Sequence, residues 1–367
     1  DFFYYFKIKK IKTIFHMLNL NTALAAYHNC PSMLPTLNHK KTAVLLANPP
    51  SEIVGYCTYF LKLAPYRKKA DGQMGLSENA LRNYVIFCQH FNDFELDFGQ
   101  KALRFSELDR RVVEGFTQWL LDKKKFSQNY AGRLLGTLKT LCLDAKKSEV
   151  KTHPYVQHIS GFTQRQTTRI INVLTSRDLK AIEKVELHQT HLNTTRNWII
   201  LGFWLGQWVS DLLTLEPHQL RNAPNGGLYV DIHQKKTGKK VTVGVIDPIA
   251  VQILRHHFPK KLTPQQFNLY LKRVLKAAGL NQKVSSFKFN PKTQRKEIGV
   301  FPKYEVISSH DLRRSFATNF FGKIPTPVLM HMTGHSKEST FMSYIGRDPN
   351  RDAYADSFME GVIQLEK

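Results

Sequence analysis

The apolar residues of this chain mostly recur at three- and four-residue intervals, the period of helices that bury one face. From Leu76 to about Gln157 that period predicts a small helical bundle. Ser77 caps a helix whose inner face carries Leu81, Tyr84, Val85 and Cys88. A second helix spans Leu108 to Leu121, with Val112, Val113, Phe116 and Leu120 inward. A third runs from Asn129 to Ala145 on Leu134, Leu135, Leu138, Leu141 and Cys142, leaving Arg133 and Lys139 outward and one side of the bundle positive. Residues 1–75 are less legible. Ile53 to Leu63 is apolar enough for a packed helix, and Arg67-Lys-Lys-Ala-Asp-Gly reads as a basic linker.

Residues 158–174 are polar and extended in pattern, a linker to a second domain over 175–367. Thr175-Ser-Arg-Asp178 has the spacing of a capping box and opens that domain. Asn197 to Leu215 reads as an apolar helix, a turn and another short helix. Between Gly227 and Val245 the period changes to two. Leu228, Val230 and Ile232 face Val241, Val243 and Val245 across Gln-Lys-Lys-Thr-Gly-Lys, the pattern of a β-hairpin. Pro264 to Ala278 is helical again, on Phe267, Leu271, Val274 and Leu275. Val284 to Ile307 holds two strand-like runs around Asn290-Pro-Lys-Thr-Gln-Arg-Lys, a basic hairpin, and Ala353 to Leu365 has the period of a last helix. The fold class expected is mainly α with a small antiparallel β-sheet.

The chemistry concentrates between Ser308 and Tyr344. Ser308 or Ser309 caps a helix on Leu312, Phe316 and Phe320, which sets His310 and Arg313 one turn apart on a single face. Pro325 and Pro327 precede a second apolar helix, Val328, Leu329 and Met332, that Gly334 ends. His335 follows in a Gly-His-Ser turn, and a third short helix from Lys337 carries Tyr344, nine residues after His335. His331 and His335 are four apart, the spacing of a zinc pair. The Glu of His-Glu-x-x-His is missing, however, and Gly334 interrupts the helix that would align them.

Charge adds a partner. Lys and Arg number 53 against 29 acidic residues, a formal +24, spread over folded segments instead of gathered in a tail. That surplus predicts a polyanion partner and an affinity that falls steeply with salt. Cys30, Cys57, Cys88 and Cys142 show no Cys-x-x-Cys spacing and fit a reduced compartment. No stretch reads as a transmembrane helix. The opening DFFYYFKIKKIKTIFH has no unbroken apolar core or small-residue cleavage site, and Met17 is a candidate start.

Four elements in one order, His-x-x-Arg, Gly-His and then Tyr nine residues later, resemble the catalytic C-terminus of the tyrosine recombinases, the phage-integrase family. The resemblance covers about Leu76 to Lys367. It implies that residues 76–157 are the SAM-like core-binding domain placed across a DNA duplex from a catalytic domain at 175–367. It further implies site-specific recombination or integration, as in mobile elements. In the family a tyrosine hydroxyl attacks a DNA phosphate and forms a 3′-phosphotyrosyl link, with no metal or nucleotide cofactor. The site residues carried over are Tyr344 as nucleophile, Arg313 and His335 on phosphate oxygens, His310 in proton transfer and Lys236 of the hairpin as acid. Lys235 and Lys239 are the other candidates for that lysine.

The resemblance also implies double-stranded DNA as partner and a homo-multimer, a tetramer, on it. The setting it implies is cytoplasmic, in a prokaryotic nucleoid or a phage or mobile-element context. The chain departs from the pattern at one place. Where the family has Gly-x-Arg-x-Ser-Glu/Asp, this sequence has Gly206-Gln-Trp-Val-Ser-Asp211, so Trp208 fills the position of the first catalytic arginine. An indole cannot make the bidentate charged contacts of a guanidinium. Impaired cleavage is therefore expected, unless Arg314 or Arg221 supplies the charge. The other classes in play are an inactive or architectural DNA-binding protein and a type IB topoisomerase-like relaxing enzyme, which uses the same tyrosine.

Overall fold

The computed structural model describes residues 48–68, 72, 74–99, 102–164, 170–291, 293, 295–346, 359, 362 and 363. The chain divides into two compact units between Arg165 and Gln166, and each has its own apolar core.

The first unit is built from helices α1 (Ile53–Lys62), α2 (Glu78–Asp97), α3 (Arg110–Gln118) and α4 (Gln128–Lys147). Serine or aspartate oxygens start three of them: Ser77 accepts from Ala80 N, Asp109 from Val112 N and Ser127 from Tyr130 N. Helix α3 runs on into a π-helical turn, Trp119–Lys123, so the predicted single helix to Leu121 is divided. An aromatic cluster of Phe87, Phe91, Phe94, Phe116 and Trp119 fills the centre, each buried ring contributing about 2–3 kcal/mol. Ile53, Tyr56, Cys57 and Phe60 belong to this core, which therefore begins in α1 and not at Leu76. Asp144 of α4 fixes that helix: it accepts from Tyr56 Oη at 2.7 Å and from both terminal nitrogens of Arg67 at 2.6 and 2.7 Å.

The second unit is arranged around α6 (Thr190–Leu205), which buries Trp198, Ile199, Ile200, Leu201, Phe203 and Leu205 on nearly all sides. Helices α5 (Ser176–Lys184), α8 (Pro248–His256), α9 (Pro264–Ala277) and α11 (Ser309–Phe320) pack against it, and the short α7 (Val209–Leu212) follows it. A three-stranded antiparallel sheet in the order β1 (Leu220–Asn222), β2 (Leu228–His233), β3 (Lys240–Val245) lies on the same core. Its register opposes Leu228 to Val245 and Ile232 to Val241, so the six alternating aliphatics predicted for a hairpin are all buried.

Strands β4 (Lys283–Asn290) and β5 (Arg295–Pro302) form a separate two-stranded ribbon that leads through α10 (Lys303–Val306) into α11. Helices α12 (Thr326–Thr333) and α13 (Glu338–Met342) follow.

The entry to this unit is pinned by a buried ion pair. Lys303 Nζ lies 2.6 Å from Asp178, and Asp178 also completes the expected box with Thr175. Burial alone would push the Asp178 carboxyl up, but the Lys303 ammonium and the Thr175 donors outweigh it and hold the group below its usual value. Among the described residues no helix is long and apolar enough to cross a membrane. Of the helix expected over 353–365, Met359, Val362 and Ile363 are helical and the rest lies outside the described residues. Residues 1–47, including Met17 and Cys30, also lie outside them, as do residues 69–71 of the expected linker over 67–72.

Candidate active site

Two glycines bring the site's elements together. Gly206 ends α6 with φ +62°, and a Cβ there would stand 2.6 Å from the Phe316 ring of α11. The close crossing aims the Gly206 carbonyl at α11. Gly334 ends α12 with φ +72°, and a Cβ on it would run into the Gln234 amide that follows β2. Gln234 in turn donates to Gln207 Oε1 at 2.8 Å and to Thr333 O at 3.1 Å. The α6–α7 turn, the β2–β3 turn and the end of α12 are thus locked together.

Arg313 projects into that junction from α11 and is 2% exposed. Its Nη1 donates to Gly206 O at 3.0 Å and its Nη2 to Thr333 O at 2.5 Å. Arg313 also reaches His335 Nε2 at 3.4 Å and hydrogen-bonds the Tyr344 side chain. Its Nε is buried without a partner, as are Arg314 Nε and Asp211 Oδ2. Burial brings the Arg313 guanidinium down to about 10, partly offset by Tyr344 and Asp211, so it stays charged at neutral pH.

The Tyr344 ring forms the outer wall. It meets His335 at 4.8 Å between ring centroids, His310 at 5.3 Å and Trp208 at 6.2 Å, all edge to face. The Arg313 and Arg314 guanidinium carbons lie 5.7 and 6.0 Å from the Tyr344 centroid. Trp208 caps α7 and stacks on His310 at 5.0 Å. Lys236 Nζ lies 4.2 Å from the Trp208 centroid, and the Arg313 guanidinium 4.9 Å from it. All five residues singled out from the sequence, Tyr344, Arg313, His310, His335 and Lys236, therefore surround one cleft, and Trp208 sits in the middle of them.

Both histidines are held neutral. Burial, helped by the Arg313 and Lys239 cations, takes His335 down to about 4. Burial and the Arg314, Arg313 and Lys236 cations lower His310, with Asp311 opposing. The His335 tautomer follows from hydrogen-bond bookkeeping. Thr333 Oγ1 donates its one proton to Leu329 O at 2.6 Å, so at 2.8 Å from His335 Nδ1 it accepts. The imidazole proton is then on Nδ1, and Nε2 presents a lone pair to Arg313.

The other lysines of the β2–β3 turn are placed differently. Lys239 Nζ donates to Ser336 Oγ at 2.8 Å, and the Lys235 amide donates to Asp211 Oδ1 at 3.2 Å. Arg221, a candidate replacement for the missing arginine, is engaged elsewhere: Asp231 takes its Nε and Nη2 at 2.5 and 3.0 Å. Arg314, bound to Asp311 at 3.2 Å, is the candidate that stands beside Tyr344. His331 is exposed on α12, whereas His335 lies beyond the left-handed Gly334 and turns to Thr333. Among the described residues no group of three or more His, Cys, Asp or Glu could hold a metal ion. Gln207 points away from the cluster, to Leu205 O, Met332 O and Gln234; Thr333 and Gln234 also orient the site and were not legible from the sequence, because single polar residues at helix and strand ends carry no periodic signal.

The chain thus has a helical bundle unit, then a helical unit with a small sheet in which a tyrosine stands beside arginine, histidine and lysine side chains. The family models agree. The phage integrase SAM-like domain matches residues 58–161 and the phage integrase family matches 172–351. The chain belongs to the phage integrase, or tyrosine recombinase, family. No curated protein matches this sequence.

Solved structures share the fold. A lambda integrase dimer bound to a COC′ core site has a TM-score of 0.56 at 16% identity, over 93% of this chain and 88% of that one. The XerH site-specific recombinase bound to palindromic difH substrate gives 0.55 at 18%, over 78% and 81%. The Tn1549 transposon integrase with a circular intermediate DNA gives 0.54 at 12%, over 85% and 100%.

Proposed function

We propose that this chain recombines double-stranded DNA at specific sites through a 3′-phosphotyrosyl intermediate, with Tyr344 as the nucleophile. The observation that carries the reading is the convergence of Tyr344, His310, His335, Arg313 and Lys236 on one cleft of a chain with a formal charge of +24. The Tyr344 oxygen attacks phosphorus, and the phosphorus–5′-oxygen bond breaks. One phosphodiester is exchanged for another, so no external energy source enters. His310, neutral at working pH, accepts the tyrosine proton, and Lys236 gives a proton to the leaving 5′ oxygen. Arg313 holds a non-bridging oxygen with its guanidinium. His335 adds a donor once an arriving phosphate favours its protonated form. Since lambda integrase is seen as a dimer on core-site DNA, assembly of several copies on DNA belongs to the same proposal.

A second reading, a family member that binds DNA and cuts it poorly or not at all, is favoured by Trp208. Its indole lies against both Lys236 and Arg313, at the position where the family motif calls for a guanidinium. Comparison of the parent chain, Trp208→Arg and Tyr344→Phe on nicked duplexes tests both readings. Recombination chemistry requires a covalent adduct that Tyr344→Phe removes while DNA affinity survives. An adduct that persists in Tyr344→Phe overturns the assignment, and no adduct in either tyrosine-bearing version leaves the binding-only reading.

A further inference from the structure

Two separate contacts dictate which ring nitrogen of His335 carries the proton. Thr333 Oγ1, at the end of α12, lies 2.8 Å from Nδ1 and 2.6 Å from Leu329 O. A hydroxyl has one proton and a carbonyl oxygen only accepts, so the bond to Nδ1 takes its proton from the ring. On the opposite edge Nε2 faces Arg313 Nη2 at 3.4 Å, and a guanidinium nitrogen only donates. Both contacts require Nδ1–H and a lone pair on Nε2. Thr333 is itself held fast: it is fully buried, and its carbonyl accepts from Arg313 at 2.5 Å and from Gln234 at 3.1 Å. This tautomer does not suit a phosphate, whose non-bridging oxygens are acceptors. Nδ1 is turned to a buried threonine, so Nε2 is the nitrogen left to meet an oxygen that Arg313 holds, and it presents a lone pair.

We propose that Thr333 is a positioning residue that keeps His335 in the non-donating tautomer, so that a scissile phosphate enters the cleft together with one proton, taken up at His335 Nε2. The inference deepens the reading above and rests on a phosphate being held by Arg313. With Nδ1–H pinned to Thr333, a proton added from water turns the Nε2 lone pair into an N–H donor. No bond of the DNA changes in this step, and Thr333 keeps accepting from Nδ1. The charged groups that face the ring are both cations, Arg313 from α11 and Lys239 from the β2–β3 turn. The Tyr344 ring lies beside it at 4.8 Å. Burial and the two cations keep the free imidazole neutral, at about 4. A phosphate anion at hydrogen-bond distance from Nε2 favours the charged form and reverses that balance. The other route, a turn of the Thr333 hydroxyl so that it donates to Nδ1, gives up its 2.6 Å bond to Leu329 O.

The test is the ring-nitrogen NMR spectrum of His335 in the full chain at pH 7, labelled with ¹⁵N-histidine and assigned with His335→Gln. The free protein should show a protonated Nδ1 and a bare Nε2. Saturated with nicked duplexes, it should show both nitrogens protonated. Thr333→Val removes the acceptor at Nδ1 and should populate the Nε2–H form without DNA, and Thr333→Ser should restore the parent's spectrum. Calorimetric titration with the same duplexes in buffers of unequal ionisation heat then counts protons. The parent should take up about one more per bound chain than Thr333→Val, whose neutral Nε2–H already donates.

A free parent with its proton on Nε2 overturns the proposal, and so does a DNA-bound His335 that stays neutral in either tautomer. The neutral Nε2–H form in the complex would mean that the Thr333 hydroxyl turns. A Thr333→Val spectrum identical to the parent's would give the tautomer to Arg313 alone and remove Thr333 from the account. Should that variant fail to fold, the parent's free and bound spectra and the Thr333→Ser spectrum still decide. None of these readouts needs cleavage, so the role of Thr333 can fail while Tyr344 is still found joined to DNA.

Discussion

Replacing Trp208 by arginine reverses the sign of an interaction at the centre of the cleft. The indole now lies close to both cations, with Lys236 Nζ 4.2 Å and the Arg313 guanidinium 4.9 Å from its centroid, and it stacks on His310. A guanidinium in its place adds a third positive group roughly 5 Å from two others. At an effective dielectric of about 20, each such pair repels by about 3 kcal/mol. Exposure of Lys236 and salt reduce that figure. The free variant should therefore be less stable by about 1–3 kcal/mol, a drop of a few degrees in its unfolding midpoint.

A scissile phosphate between the same three cations turns the repulsion into attraction. One preorganised donor to the transition state is worth about 10²–10³ in rate. Trp208→Arg is expected to form covalent adduct on a nicked duplex at least about 100-fold faster than the parent. DNA should also raise its unfolding midpoint more than it raises the parent's. Adduct formation and thermal unfolding with and without DNA, run side by side, check both halves. If the parent forms adduct as fast as the variant, another cation already fills the position, Arg314 first among them, and the account of Trp208 is wrong.

Three further outcomes follow from particular groups. DNA affinity should fall with a steep log–log slope in salt, read by fluorescence anisotropy, and Tyr344→Phe should leave that slope unchanged. Lys303→Met leaves the buried Asp178 carboxylate unpaired and should cost about 3–5 kcal/mol at neutral pH. Because pairing holds Asp178 below its unfolded value, the parent's share of this stability is present above about pH 4 and disappears as pH falls below it. Chemical denaturation of both proteins across that range reads the convergence. Glu95 behaves oppositely: burial raises it to about 7, against the Leu103 amide that it accepts. The folded state therefore keeps its proton where the unfolded state has lost it, and stability declines as pH rises from about 4.5 to 7. Glu95→Gln should flatten that decline and gain about 1–3 kcal/mol at pH 8.

The elements were legible where one period dominates. Leu228 to Ile232 and Val241 to Val245 alternate strictly, and the sheet forms on those residues. Helices α2 and α11 begin where Ser77 and Ser308 predict them: Ser77 Oγ accepts from Ala80 N, and Asp311 accepts from the amide and hydroxyl of Ser308. The core of the first unit was read too short because α1 is separated from α2 by polar sequence. Burial of Tyr56 and Cys57 against distant helices is a tertiary fact without local periodicity. In the cleft, spacing alone put His310 and Arg313 on one helical face. The partners that fix them did not show in the sequence, since Gly206 O and Thr333 O are backbone atoms brought in by two left-handed glycines. Trp208 was visible as a departure from a motif. Its stacking on His310 and its contact with Lys236 were not, because aromatic packing across three separate segments leaves no trace in any one of them.

The central claim is that Tyr344 becomes joined to DNA, and peptide mapping of a trapped adduct tests it most directly. The Trp208→Arg protein, incubated with a pool of nicked duplexes of randomised sequence and then digested, should yield one peptide carrying a nucleotide 3′-phosphate on Tyr344. The Tyr344→Phe form of the same protein should yield none. Attachment at any other side chain, or no attachment with the arginine restored and DNA bound, would contradict the account.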